Sequence, residues 1–148
     1  MIKNKIDLHL HLDGSLRPET VWELGREQHI TLPARNKVEL EGFLRVPEDC
    51  KNLTEYLQRF DLPLMVLQKA DAIERVVYEL IEDLREEGVL YAEIRFAPQL
   101  STKKGLSQEQ VVEAAIAGLN RGLVDFPSIK ASLILCCMRG EGNEEENL

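Results

Sequence analysis

Basic side chains are the first shortage: 18 Lys and Arg stand against 26 Asp and Glu, a formal net charge of −8. Nucleic-acid binding is led by basic patches that neutralise phosphates, so this balance argues against such a partner. Cysteine is scarce too. Of the three, Cys136 and Cys137 are adjacent, which makes a poor disulfide framework. Two cysteines inside an apolar run read more simply as a buried strand of a reduced, cytoplasmic protein. No apolar run approaches membrane length, and the amino terminus enters its first strand with no apolar targeting stretch. Internal repeats, low-complexity tracts and phosphate-binding glycine loops are all missing. At 148 residues the chain holds one domain with a sizeable core, but a closed (β/α)8 barrel needs about 250.

Histidine is rare as well, with three in all, yet two of them fall in one short segment, Asp7-Leu-His-Leu-His-Leu-Asp-Gly-Ser15. Asp7, His9, His11 and Asp13 occupy every second position, the period of a β-strand, so they are expected on one face. Leu8, Leu10 and Leu12 take the other and can be buried. Two imidazoles side by side at a strand end suit a divalent metal, since each offers one nitrogen at about 2.0–2.1 Å from zinc. A nearby carboxylate can then hold a ligand histidine in one tautomer or grip a substrate hydroxyl. A His-x-His pair alone is a weak signal. Here its polar face, its strongly apolar opposite face and the Asp-Gly-Ser turn strengthen it.

The remaining pattern is that of an α/β chain. Strands are expected over 4–11, 89–97 and 129–137, the last nearly all apolar, as befits a parallel strand covered on both faces. Pro18 opens a helix that runs to about His29, with Glu19 in its first turn. A short helical piece is expected around Val38–Leu44. Residues 53–69 carry Leu53, Tyr56, Leu57, Phe60, Leu64 and Leu67 at helical spacing, interrupted by Pro63. From Asp71 to Glu87, Ile73, Val76, Val77, Leu80, Ile81 and Leu84 share a face, and Gly88 supplies the stop. Ser107 and Gln110 form a capping box for a helix striped by Val111, Val112, Ala115, Ile116 and Leu119. In the second strand Tyr91, Glu93 and Arg95 alternate with apolar residues, and a structural ion-pair network is the first reading for Glu93 and Arg95. Right-handed crossovers would gather His9, His11, Asp13, Pro98, Gln99 and Arg139 on one rim. The tail 140–148 reads as the start of a helix, Asn143 its N-cap and Glu146 closing a capping box, so the chain is expected to be cut short there.

Asp7-Leu-His-Leu-His-Leu-Asp-Gly-Ser-Leu-Arg-Pro-Glu-Thr20 resembles the opening motif of the adenosine deaminases, zinc enzymes of the amidohydrolase superfamily. Tyr91-Ala-Glu-Ile-Arg-Phe-Ala-Pro98 and Leu133-Ile-Leu-Cys-Cys-Met-Arg139 follow in the family's order, and the likeness runs over essentially the whole chain. The resemblance implies a partial TIM-type (β/α)8 barrel, about its first three strands with their helices. It also implies hydrolysis of adenosine or a related adenine nucleoside, to an inosine-type product and ammonia, by a zinc-activated water. By that likeness His9 and His11 are metal ligands, and His11 and Asp13 bind the ribose side of the substrate. The stretch holding Leu57 and Phe60 is either core or a lid over the purine. The family's third ligand histidine, its proton-moving glutamate and histidine, and its later aspartate pair are expected beyond Leu148. The third histidine, His29, is a surface or packing residue.

The implied partner is a small purine nucleoside, with no nucleic acid and no membrane. The alternative enzyme reading is another His-x-His metal hydrolase, such as a polymerase-and-histidinol-phosphatase-type phosphoesterase, which the Arg17-Pro-Glu-Thr20 continuation disfavours. The cytidine and tRNA-type deaminases are not relatives, since their His-x-Glu and Pro-Cys-x-x-Cys signatures are absent. A third reading treats the 148 residues alone as an inactive, truncated scaffold. Its open strand edges would be covered by self-association or by a complementary carboxy-terminal segment.

Overall fold

The computed structural model describes residues 4–45, 50 and 52–138, and of residues 53–59 the backbone alone. Its elements follow in the order β1 (Lys5–His11), α1 (Pro18–Glu27), α2 (Lys37–Leu44), α3 (Leu53–Val66), α4 (Ala70–Glu86), β2 (Val89–Phe96), a 3-10 turn at Pro98–Ser101, α5 (Gln108–Asp125) and β3 (Lys130–Leu135). The strands form one parallel sheet in the order β1-β2-β3, so their carboxyl ends share a rim. The α/β parallel sheet is what the pattern of strands and helices implied, and it is the three-stranded part of a TIM-type barrel that the family resemblance implied.

Local chemistry accounts for most boundaries. Pro18 stands at the start of α1, where its missing N–H costs nothing. The Asn36 side chain caps α2 by accepting from the Glu39 N–H at 2.9 Å. Ser107 and Gln110 make a reciprocal capping box on α5. Gly88, with φ of 77°, ends α4 in a conformation that a side chain disfavours. His29 takes a positive φ in the turn after α1 and is exposed there, as expected of a surface residue.

The core lies between the sheet and the helices. All six residues of the expected α4 stripe are buried, together with Ala72, and Ala92 and Ile94 of β2 are fully covered. On α5 the buried face is Val111, Ala114, Ala115, Gly118 and Gly122, while Ile116 of the expected stripe is 43% exposed. Close approach explains the shift. A Cβ at Gly118 would stand 2.3 Å from the Glu74 carbonyl oxygen, so α5 presents its smallest residues to α4. The helix α3 runs through Pro63 rather than breaking at it, and the buried Pro63 ring offsets the lost backbone bond.

Two burial expectations fail. Leu8 is 57% exposed, and β3 is only half-buried, with Leu135 53% exposed. Both strands are sheet edges here, and no described residue covers their outer flanks. Cys136 is likewise half-buried and Cys137 exposed. The tail reading at Asn143 and Glu146 lies outside the described residues. No helix among the described residues is long and apolar enough to cross a membrane.

Candidate metal and substrate site

At the carboxyl end of β1, His9 and His11 project from the same open face of the sheet. Their ring centroids are 5.3 Å apart and their Nε2 atoms 3.3 Å apart. Two nitrogens bound at about 2.0–2.1 Å with a tetrahedral angle between them lie about 3.3–3.4 Å apart, so this pair has the spacing of two zinc ligands. Among the described residues no group of three or more His, Cys, Asp or Glu side chains is arranged around one point.

The chain then turns sharply. Ser15 N–H donates to the Leu12 carbonyl at 3.0 Å, and Ser15 Oγ donates to the His11 carbonyl at 2.6 Å. That turn tucks Asp13 inward beside His11, with Oδ1 3.8 Å from His11 Nδ1. The oxygen is buried and has no hydrogen-bond partner, an expensive state for a carboxylate. Burial pushes the Asp13 carboxyl above the ordinary aspartate range. The neighbouring His11 and the backbone N–H groups of Asp13 and Gly14 oppose that rise without cancelling it.

Arg17 anchors the turn from behind. Its Nε donates to both carboxylate oxygens of Asp83 at 3.0 Å, and Nη2 reaches Glu82 at 2.7 Å. Thr20 donates to Glu79, and Arg75 bridges Glu79 and Glu23, so α1 is tied to α4 by a half-buried polar cluster.

His9, His11, Asp13 and Gly14 line an open cavity of about 480 Å³, closed on one side by Phe60 and Pro63 of α3. That volume suits a small-molecule ligand. The Phe60 ring stands edge-on to His11 with centroids 6.4 Å apart. Leu57 lies in α3 among the residues whose side chains are not described, and Arg139 also lies outside the described residues.

Other candidates take structural roles. Gln99 reaches the rim, but its amide grips the Met138 backbone in both directions, accepting from N–H at 2.6 Å and donating to C=O at 3.2 Å. Pro98 is buried in the 3-10 turn beside it. Among the described residues Glu93 and Arg95 make no ion pair. Glu93 accepts from the Tyr91 hydroxyl at 3.2 Å, whereas Arg95 Nη1 rests 3.2 Å from His9 Nε2, with Arg95 Nε buried and unpartnered. Side chains two apart on one strand diverge to different neighbours, so proximity in sequence did not pair them. The contact of Phe60 with Gly14 carries no short-range sequence signal, since the two elements meet only in the fold.

The model of the family described as adenosine deaminase matches residues 4–148. A curated adenosine deaminase from Haemophilus ducreyi is 50% identical over 143 residues, 97% of this chain and 42% of that protein. The chain thus spans about two fifths of the length of the curated relatives it matches. Among solved structures, an adenine deaminase from Arthrobacter aurescens is similar with a TM-score of 0.76 at 28% identity, over 88% of this chain and 38% of that one. An Arabidopsis protein termed ADAL, solved with GMP, is similar at a TM-score of 0.69 and 31% identity, over 89% of this chain and 40% of its own. An amidohydrolase from Burkholderia ambifaria, solved with bound zinc, shares the fold at a TM-score of 0.72 and 23% identity, over 89% of this chain and 35% of its own.

Proposed function

The chain belongs to the adenosine deaminase family, and from that premise we propose that it is the amino-terminal portion, residues 1–148, of a single metal-dependent barrel domain. The reaction we assign to the complete protein is hydrolysis of the amino group of adenosine or a related adenine nucleoside, giving an inosine-type product and ammonia.

The observation that carries this reading is the 3.3 Å separation of His9 Nε2 and His11 Nε2 beside the buried, unpartnered Asp13 oxygen. Two neutral imidazoles in this arrangement fit zinc, with His9 and His11 as its ligands. When bound, zinc supplies a water acidic enough to act as a nucleophile near neutral pH. Asp13 is too far from His11 Nδ1 to orient it by a hydrogen bond. Asp13 lines the cavity, and its carboxylate suits a donor brought by the ligand, such as a ribose hydroxyl beside His11. Phe60, on the helix α3 that also carries Leu57, forms an apolar wall over the purine and excludes water. The GMP held by the similar Arabidopsis protein supports a purine as the ligand class.

The further ligands and the general acid and base come from outside residues 1–148, so the isolated chain is inactive. Its three unpaired cysteines suit the reducing cytoplasm. The test is ammonia release from adenosine by the full-length gene product, before and after removal of metal by a chelator. Turnover that requires zinc and is lost in His11→Ala is expected. No ammonia from any adenine nucleoside, or full turnover after metal removal, contradicts the reading.

A further inference from the structure

The strand that presents the two histidines is not regular. Along β1, Asp7 pairs with Ala92 and Leu10 with Ile94, so two residues, Leu8 and His9, stand opposite Glu93 alone. An extra residue of this kind is a bulge, and a slip of one residue carries each following side chain to the other face. The residues on either side of this bulge show that effect. Asp7 is in register with Ala92, which is fully buried under the helices, and lines a groove with Leu80 and Leu84 of α4. His11 is in register with Arg95 on the opposite, open face. Asp7 therefore does not share the face of His9 and His11, as unbroken alternation required.

The bulge has one specific tether. Bulged residues drop out of the ladder, and the His9 N–H donates to the Asp7 carboxylate, 3.0 Å from Oδ1. Bulges are frequent beside functional sites because they re-aim a side chain. Here the re-aimed residue is one of the two imidazoles that meet at 3.3 Å.

We propose that Asp7 is a positioning residue for the His9–His11 pair. It acts through the His9 amide and not on the metal. By holding the bulge it sets the phase of β1 that puts both imidazoles on the open face with their Nε2 atoms together. This inference rests on the reading of His9 and His11 as metal ligands.

The experiment measures zinc affinity of the full-length gene product by competition with a chelating indicator, and the visible spectrum of its cobalt(II) form. The variants are Asp7→Asn, Asp7→Ala, Asp7→Leu and His11→Ala. Asp7→Asn keeps an acceptor oxygen and is expected to stay within a few-fold of the parent. Asp7→Ala and Asp7→Leu are expected to lose about 10–100-fold in zinc affinity, as loss of a supporting contact commonly does, with an altered cobalt spectrum. Parent-like affinity and spectrum in both, or an equal loss in Asp7→Asn, overturns the proposal. His11→Ala separates the two claims: tight binding retained in that variant removes the ligand reading itself. Hydrogen exchange in the unsubstituted protein gives a check independent of any variant. The His9 amide is expected to exchange slowly, and fast exchange contradicts the tether.

Discussion

The Phe60 ring lies so close to Gly14 that a Cβ added to the glycine would stand 3.0 Å from Phe60 Cε1. Glycine at this turn thus sets how far the aromatic wall leans over the histidine pair. Gly14→Ala must displace the ring by a few tenths of an ångström. We expect a several-fold rise in KM for adenosine with zinc content unchanged. An unchanged KM would show that Phe60 does not contact the bound nucleoside.

Asp13→Ala separates substrate binding from metal binding. A hydrogen bond to a charged group contributes about 1.5–3 kcal/mol, so kcat/KM is expected to fall by at least about tenfold. Zinc content should remain near that of the parent. Equal loss of zinc and activity would make Asp13 a group that holds the metal.

Much of this was legible in the sequence, for a physical reason. The β1 run, the α4 stripe, the Ser107–Gln110 box and the His9–His11 pair are all local patterns, and each appears where the spacing placed it. What was not legible depends on a partner distant in the chain. The face taken by Asp7 depends on a bulge visible only in the pairing with β2. The buried face of α5 depends on how closely α4 approaches Gly118. Glu93 and Arg95 look like an ion pair along one strand, but Tyr91 and His9 compete for them more successfully.

That close approach of the helices sets the sign of a pair of glycine substitutions. Alanine is intrinsically favoured over glycine in a helix by about 1 kcal/mol. At Gly118 the new Cβ meets the Glu74 carbonyl oxygen at 2.3 Å, backbone that cannot give way cheaply. Gly118→Ala is therefore expected to destabilise by about 1–3 kcal/mol. Gly42→Ala in α2, with nothing within 4 Å, is expected to stabilise slightly. Thermal or denaturant unfolding of both variants checks the contrast.

Acid should weaken the polar cluster on α1. The Arg75 guanidinium donates to Glu23 at 2.7 Å and, with Lys37 nearby, holds that carboxyl below the ordinary glutamate range. A depressed folded pKa gives stability that is present above the ordinary glutamate pKa and lost as pH falls through the depressed value. The side chain is 45% exposed, so at pH 7 Glu23→Gln should cost less than about 1 kcal/mol. The gap to the parent should close as the pH drops below the ordinary glutamate range, and a gap that persists at low pH would contradict an ionic origin.

The most direct test of the central claim is a crystal structure of the full-length gene product with zinc, with anomalous diffraction recorded on both sides of the zinc edge. The account requires one anomalous peak within about 2.0–2.1 Å of both His9 Nε2 and His11 Nε2, with Asp13 outside bonding distance. A zinc peak elsewhere, or one bound by neither or only one of these histidines, would contradict it.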